Sequence, residues 1–418
     1  MYPLQVKREE MLEYYEPLLD LERPDLHNTL CVVLTLKEAV DGTVLRAVVE
    51  RLRSRFPYFY VKAALSGQDV VVKPNPLPMI VRSSWEPILL NSEESGFHLA
   101  SWKYEGSRVA FEVSHTLTDG VGIMPYIKSA MYLYLSETTG RSFDYEGFRL
   151  PGDAIPESET GNPFNDKDID AIKAPFYEKK PITDFFRLVD DKTKNDKRVF
   201  FLKLSEAQVM KYCKSHDGSP NAFISVMMAR AARRFDPEST KPIVISVAID
   251  TKAMLGNSDN YRMFATDAKL DFPKERSLDD VSKSCTIARI QLMVQAQPEN
   301  SLWYLKQRKL GKKPAPMDVS QSMAFVSYVD CRSFGPLQPY IENLFIVTSL
   351  LKVSDVLCEV TCINHSFFIA YMQPFVSDRY FKCFLRELKW SGIDYEVIAS
   401  EPLRISGIEP ASCPQNSI

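Results

Sequence analysis

Ser114-His115-Thr116-Leu117-Thr118-Asp119-Gly120 is the segment of this chain best suited to chemistry. A histidine that is neutral near pH 7 can take a proton from a hydroxyl or an amine as that group attacks an electrophile. Asp119, four residues on, has three possible jobs: orienting the imidazole, ligating a metal beside it, or closing the loop by pairing with a distant cation. The spacing alone does not choose among them. The plain alternative for His115 is a buried ring satisfied by backbone groups.

The elements around the motif can be read from periodicity. In Arg108-Val109-Ala110-Phe111-Glu112-Val113-Ser114-His115, the residues Val109, Phe111, Val113 and His115 share one face of a strand, and Arg108, Glu112 and Ser114 take the other. His115 therefore points inward. After Gly120 the run Val121 to Ile127 continues into Ala130 to Leu135, apolar nearly all round, with Pro125 tolerable only in a first helical turn. The motif is expected at a junction of strand, loop and buried helix.

Composition narrows the classes. A chain of 418 residues exceeds one ordinary core and suggests two units. With 45% hydrophobic and 25% charged residues and a net charge of -3, it reads as a soluble globular protein without general attraction for nucleic acid. No apolar run approaches the ~20 residues that span a bilayer, and the amino terminus does not read as a signal peptide, so the expected compartment is the cytosol. The eight cysteines include no Cys-x-x-Cys pair. Cys358 and Cys362 are the nearest neighbours, on one strand face and about 13 Å apart, too far for a disulfide. They are read as core residues.

Two halves of similar grammar follow, divided as 1–175 and 176–418. The first has a strand at Thr29 to Leu36, a helix from Gly42 to Arg55 and a hairpin of Tyr58 to Leu65 with Asp69 to Lys73. Strands at His98 to Tyr104 and up to His115 complete it. A proline-rich stretch from Gly140 to Lys197 reads as a linker. The second half has a strand from Arg198, a helix capped by Ser205, a helix from Pro220 to Phe235 and a strand from Ile243 to Ile249. Ser277 to Asp280 cap a long helix to about Gln297, four more strands follow, and a helix from Ser377 to Leu388 comes last. The tail after Pro402 is expected to be loosely held. No phosphate loop, His-Glu-x-x-His site or Gly-x-Ser-x-Gly elbow is present.

A His-x-x-x-Asp-Gly element ending a strand, a quarter of the way along such a chain, resembles the acyl-CoA-dependent acyltransferase superfamily. That group includes chloramphenicol acetyltransferases, alcohol acetyltransferases and peptide-synthetase condensation domains. Order along the chain adds to the likeness: the central linker, then Ile245 to Lys252 as a strand ending in a cation, then Phe325 to Val329 and the closing strand pair and helix. The match is best to the alcohol acetyltransferase-like branch. It implies an α+β fold of two chloramphenicol-acetyltransferase-like subdomains in a V, with His115 in a central channel.

By that resemblance His115 is a general base acting on an alcohol or amine acceptor, with acyl-CoA as co-substrate and no metal. Asp119 and Gly120 belong to the loop, and Asp119 pairs with a cation of the second half. Lys252 stands at that position where relatives carry arginine, with Arg262 as an alternative. An oxyanion hydroxyl comes from Ser327, Thr348 or Ser349. The chain departs from the double-histidine form, since Ser114 precedes His115; a carrier-bound donor stays open. Tyr328 and a displaced Gly335 replace the Asn and Gly of the later segment. Lys306, Arg308, Lys309, Lys312 and Lys313 near Trp303 are either a coenzyme A phosphate patch or a solvated face. His27, His98, His216 and His365 are read as structural or solvated, with His365 placed where it could line the channel. Two other readings remain: a non-catalytic relative that binds a small molecule or partner in the cleft, and a metal-dependent hydrolase using His115 and Asp119.

Overall fold

A computed structural model describes residues 28–66, 69–161, 169–178, 180–188, 197–263, 265–309, 321–349 and 354–407. Its first half contains β1 (Thr29–Leu36), α1 (Gly42–Leu52), β2 (Val61–Ser66), β3 (Asp69–Pro74), β4 (Val81–Ser83), β5 (Ala100–Glu105), β6 (Arg108–Ser114) and α2 (Met124–Thr139). The second contains β7 (Arg198–Ser205), α3 (Glu206–Ser215), α4 (Pro220–Phe235), β8 (Ile243–Asp250), β9 (Ala265–Phe272), α5 (Val281–Gln295) and α6 (Pro298–Lys309). It continues with β10 (Ser322–Asp330), β11 (Ile341–Thr348), β12 (Ser354–Ile363), β13 (Ser366–Gln373), α7 (Arg379–Trp390) and β14 (Tyr395–Pro402).

The strands form a five-stranded sheet in the order β11-β1-β6-β5-β4, a seven-stranded sheet in the order β14-β7-β13-β12-β10-β8-β9 and the β2-β3 hairpin. The strand β11 comes from the second half yet pairs antiparallel with β1, Leu30 opposite Thr348. It also lies on the large sheet, where the Phe345 ring meets Phe201 and Phe368 at centroid distances of 4.5 and 5.4 Å. The histidine motif is built where β1, β6 and β11 end. The small sheet is covered on both sides as a result. β1 is a nearly continuous apolar run for that reason, and Glu112 on the nominally polar face of β6 is fully buried. Its carboxylate pairs with Lys103 at 2.5 Å.

Local signals account for most boundaries. Asp41 caps α1 by accepting from Thr43 N and Val44 N, and Leu45, Val48, Val49 and Leu52 form its buried stripe. Pro125 sits in the first turn of α2. Ser205 and Ser219 cap α3 and α4.

The structure differs from the sequence reading in several places. Pro57-Tyr58-Phe59 forms a 3-10 turn, so β2 starts at Val61. The helix expected to run to Gln297 stops at Gln295, and α6 follows. β9 and β14, which were not expected, are the two edges of the large sheet. α5 covers the β9 edge: Gln295 and Gln291 accept from the backbone N–H groups of Lys269 and Asp271 and donate to their carbonyls. Of the segment after Pro402, residues 403–407 are described and docked, with Leu403, Ile405 and Ser406 buried and Lys103 Nζ donating to Arg404 O at 2.8 Å; the rest of the tail lies outside the described residues. No helix among the described residues is long and apolar enough to cross a membrane.

Candidate active site

His115 follows the last residue of β6, and its N–H donates to Asn28 O at 2.8 Å. Alongside, Ser349 N donates to Thr29 O and Thr29 N donates to the Ser349 hydroxyl at 2.8 Å, so the three strand ends are tied together. The loop itself is pinned. The Ser114 and Thr116 hydroxyls bond at 2.8 Å, and Tyr58 OH donates to Leu117 O at 2.6 Å. His115 is half-buried; desolvation of its ring pushes its pKa below the ordinary value, against the opposing influence of nearby backbone and the Asp119 charge. Its Nδ1 is buried without a well-formed hydrogen bond among the described residues. The ring is therefore neutral near pH 7 and able to accept a proton.

Of the roles open to Asp119, the geometry favours the cation pair. Lys252 Nζ forms a salt bridge and hydrogen bond with Asp119 Oδ1, and both residues are buried. The same oxygen accepts from Gly122 N at 2.7 Å and Val121 N at 3.1 Å, which turns the chain into α2. The carboxylate thus anchors the loop to the second half. Arg262, the alternative partner, sends its Nε to Thr160 O at 2.8 Å.

Two glycines let the second half approach the loop. A Cβ on Gly120 would lie 2.8 Å from Val329 Cγ2, and one on Gly122 would lie 2.3 Å from Tyr261 O. Tyr261 belongs to a buried network absent from the sequence reading. Its hydroxyl donates to Glu159 at 2.5 Å, Glu159 also receives both terminal nitrogens of Arg55 at 2.6 and 2.8 Å, and Tyr261 N donates to Glu159 O. The supposed linker therefore reaches into the core beside the motif.

No family model and no curated protein matches the chain. Solved structures do. Polyketide synthase associated protein 5 from Mycobacterium tuberculosis matches with a TM-score of 0.59 at 13% identity, over 92% of this chain and 96% of that one. F. sporotrichioides TRI101, solved with coenzyme A and T-2, matches at 0.56 and 12% identity over 94% and 99%. A variant of the starter condensation domain of rhizomide synthetase RzmA, solved with C8-CoA, matches at 0.57 and 12% identity over 90% and 92%. The chain has the fold of the acyl-CoA-dependent acyltransferases and condensation domains.

Within that fold the other candidate residues separate. Thr348 is buried, and its N–H meets Met372 Sδ at 3.4 Å. Ser349 ties β11 to β1 as described. Ser327, half-buried on β10, is the register partner of Glu359 on β12. Tyr328 faces the opposite side of the large sheet, with its ring 5.7 Å from Phe367.

Lys306 donates to the carbonyls of Asp170 and Ile172, whereas the Arg308 and Lys309 side chains and Lys312 and Lys313 lie outside the described residues. His365 is solvated, fully exposed on the turn between β12 and β13, and does not line the site. His98 is buried with Nε2 on Leu77 O, His216 stacks on Tyr212, and His27 lies outside the described residues. The described cysteines are free and buried. Among the described residues no group of three or more His, Cys, Asp and Glu is placed to hold a metal. A cavity of about 10 Å³ lies between the sheets beside Cys31, Phe201 and Leu403, away from the motif.

Proposed function

We propose that this protein is an acyltransferase that moves an acetyl or longer acyl group from a coenzyme A thioester to an alcohol or amine, with His115 as general base. The observation that carries the reading is the neutral, half-buried His115 held at the meeting of three strand ends by the Asp119–Lys252 tether. The fold supports it, and similar solved proteins hold coenzyme A or an acyl-CoA.

In this reading His115 takes the proton of the acceptor hydroxyl or amine as that group attacks the thioester carbonyl. The tetrahedral intermediate collapses with cleavage of the carbon–sulfur bond, the departing thiolate takes the proton from the imidazolium, and His115 is neutral again. A hydroxyl of Ser327, Thr348 or Ser349 stabilises the oxyanion. Asp119 acts by position, so Lys252 can replace an arginine without loss of the tether's charge. The half spanning 1–175 brings the base, and the half spanning 176–418 brings Lys252 and the hydroxyls.

The test is thiol release from acetyl-CoA and longer acyl-CoAs over a panel of alcohols and amines. Acceptor-dependent release supports the reading. Acyl-CoA binding with no release from any pair would favour a non-catalytic cleft.

A further inference from the structure

Glu359 lies in the middle of β12, a strand buried along its whole length, and is itself 7% exposed. Its register partners are Ser327 on β10 and Ala370 on β13. The strand's alternation fixes its direction: Val356, Cys358, Val360 and Cys362 join the core under the second half's helices, whereas Leu357 and Ile363 join the core shared with the first half. Glu359 alternates with the latter pair and so projects toward the first half.

Two contacts bracket it there. Thr361 Oγ1 donates to Leu344 O at 2.5 Å, and Met372, the partner of Leu357, receives Thr348 N. Glu359 therefore lies beneath the middle of β11, where Ile346 and Val329 approach Gly120 of the histidine motif. About 7 Å of strand separates the level of Ser327 and Glu359 from that of Val329. Ser327 and Phe325, on the same face, are only half-buried.

Charge balance sets Glu359 apart. The other buried acids among the described residues each have a cation: Glu112 has Lys103, Asp119 has Lys252, Glu159 has Arg55, Asp355 has Arg187, and Glu387 has Arg230 and Arg234. Glu359 forms no salt bridge among the described residues. Burial pushes its carboxyl up to about 7, and only the Ser327 hydroxyl opposes that. A carboxyl buried without a counter-charge is destabilising and is a candidate functional group.

We infer that a ligand supplies the missing charge: Glu359, assisted by Ser327, is a subsite for a protonated nitrogen on the acyl acceptor. The acceptors of this protein are then amino alcohols or diamines, whose second polar group reaches Glu359 while the first is at His115. A hydroxyl there would satisfy hydrogen bonding but leave the carboxylate unpaired. The inference rests on the acyl-transfer reading for the word acceptor, and on the geometry alone for the cation.

The experiment compares ω-amino alcohols of four to eight carbons with the α,ω-diols of equal length, on wild type and Glu359→Gln. It follows turnover with acetyl-CoA and, separately, calorimetric binding without donor. Wild type should favour the amino alcohol by about tenfold or more at a preferred length, carried by KM, and Glu359→Gln should bring that ratio near one. Binding of the amino alcohol that Glu359→Gln abolishes, with no thiol release, would overturn the acyl-transfer reading and leave the subsite standing. Thiol release without an amine preference in wild type, a preference that survives Glu359→Gln, or no binding of either series would overturn the subsite. Gln keeps the shape while removing a buried charge, and the wild-type comparison decides even if the variant does not fold.

Discussion

Asp119→Asn tests the tether at its charge while keeping its shape. The asparagine oxygen can still accept from Gly122 N and Val121 N; what disappears is the negative charge opposite Lys252. Lys252 is fully buried and Asp119 is 5% exposed, so solvent screens little of the interaction. Removing one partner of such a pair costs about 3–5 kcal/mol, because the remaining charge is buried alone. An unfolding entropy of ~2.1 cal/mol/K per residue over 418 residues amounts to about 0.9 kcal/mol/K. The expected fall in melting temperature by calorimetry is then about 3–6 °C. Adding Lys252→Met removes the orphaned ammonium, so the double variant should regain about half of the loss or more. Its turnover should stay depressed, by up to about 10²-fold, since the loop that carries His115 is no longer anchored. A single variant melting within about a degree of wild type, or a double variant melting no higher than the single, would refute the tether.

Other outcomes follow from the same geometry. Burial lowers the His115 pKa, and the base works when neutral, so kcat/KM should rise with pH through a midpoint below 6.5 and be flat above about 7; a midpoint at or above 7 would contradict this. Gly122→Ala places a methyl against Tyr261 O, and the backbone must move; a loss of about 1–3 kcal/mol together with reduced turnover is expected from melting and rate measurements. Glu359 has its folded pKa raised from 4.5 to about 7, so the fold prefers the protonated acid. Its contribution, up to about 3 kcal/mol, is present below pH 4.5 and lost as pH rises through 7. The difference between wild-type and Glu359→Gln melting curves across pH 5–8 isolates it from the opposite trend of His115, and parallel curves would count against it.

Strong local signals made much of the fold legible. β1 and α4 begin and end where apolar periodicity and capping place them. β9 was hidden because only Ala268, Leu270 and Phe272 are buried between charged neighbours, and β14 because as an edge strand it buries little. The docked residues 403–407 offer only Leu403 and Ile405 as apolar signals, too short a pattern to read.

At the site, His115 and Asp119 were visible as a motif, and Lys252 through its place after β8. The Arg55–Glu159–Tyr261 network was not, because its members come from three distant segments and Glu159 sits in a proline-rich stretch that looks like linker. Glu359 was missed for another reason. Asp355, Glu359 and Thr361 mimic a solvated strand face, and only the return of β11 across the large sheet buries that face.

The most direct measurement is thiol release from acyl-CoA in the presence of acceptor, with wild type beside His115→Ala and circular dichroism to confirm that the variant is folded. The account predicts acceptor-dependent release by wild type that falls by about 10²–10⁴-fold in His115→Ala. A folded His115→Ala protein that releases thiol at the wild-type rate would remove His115 from the chemistry and contradict the account.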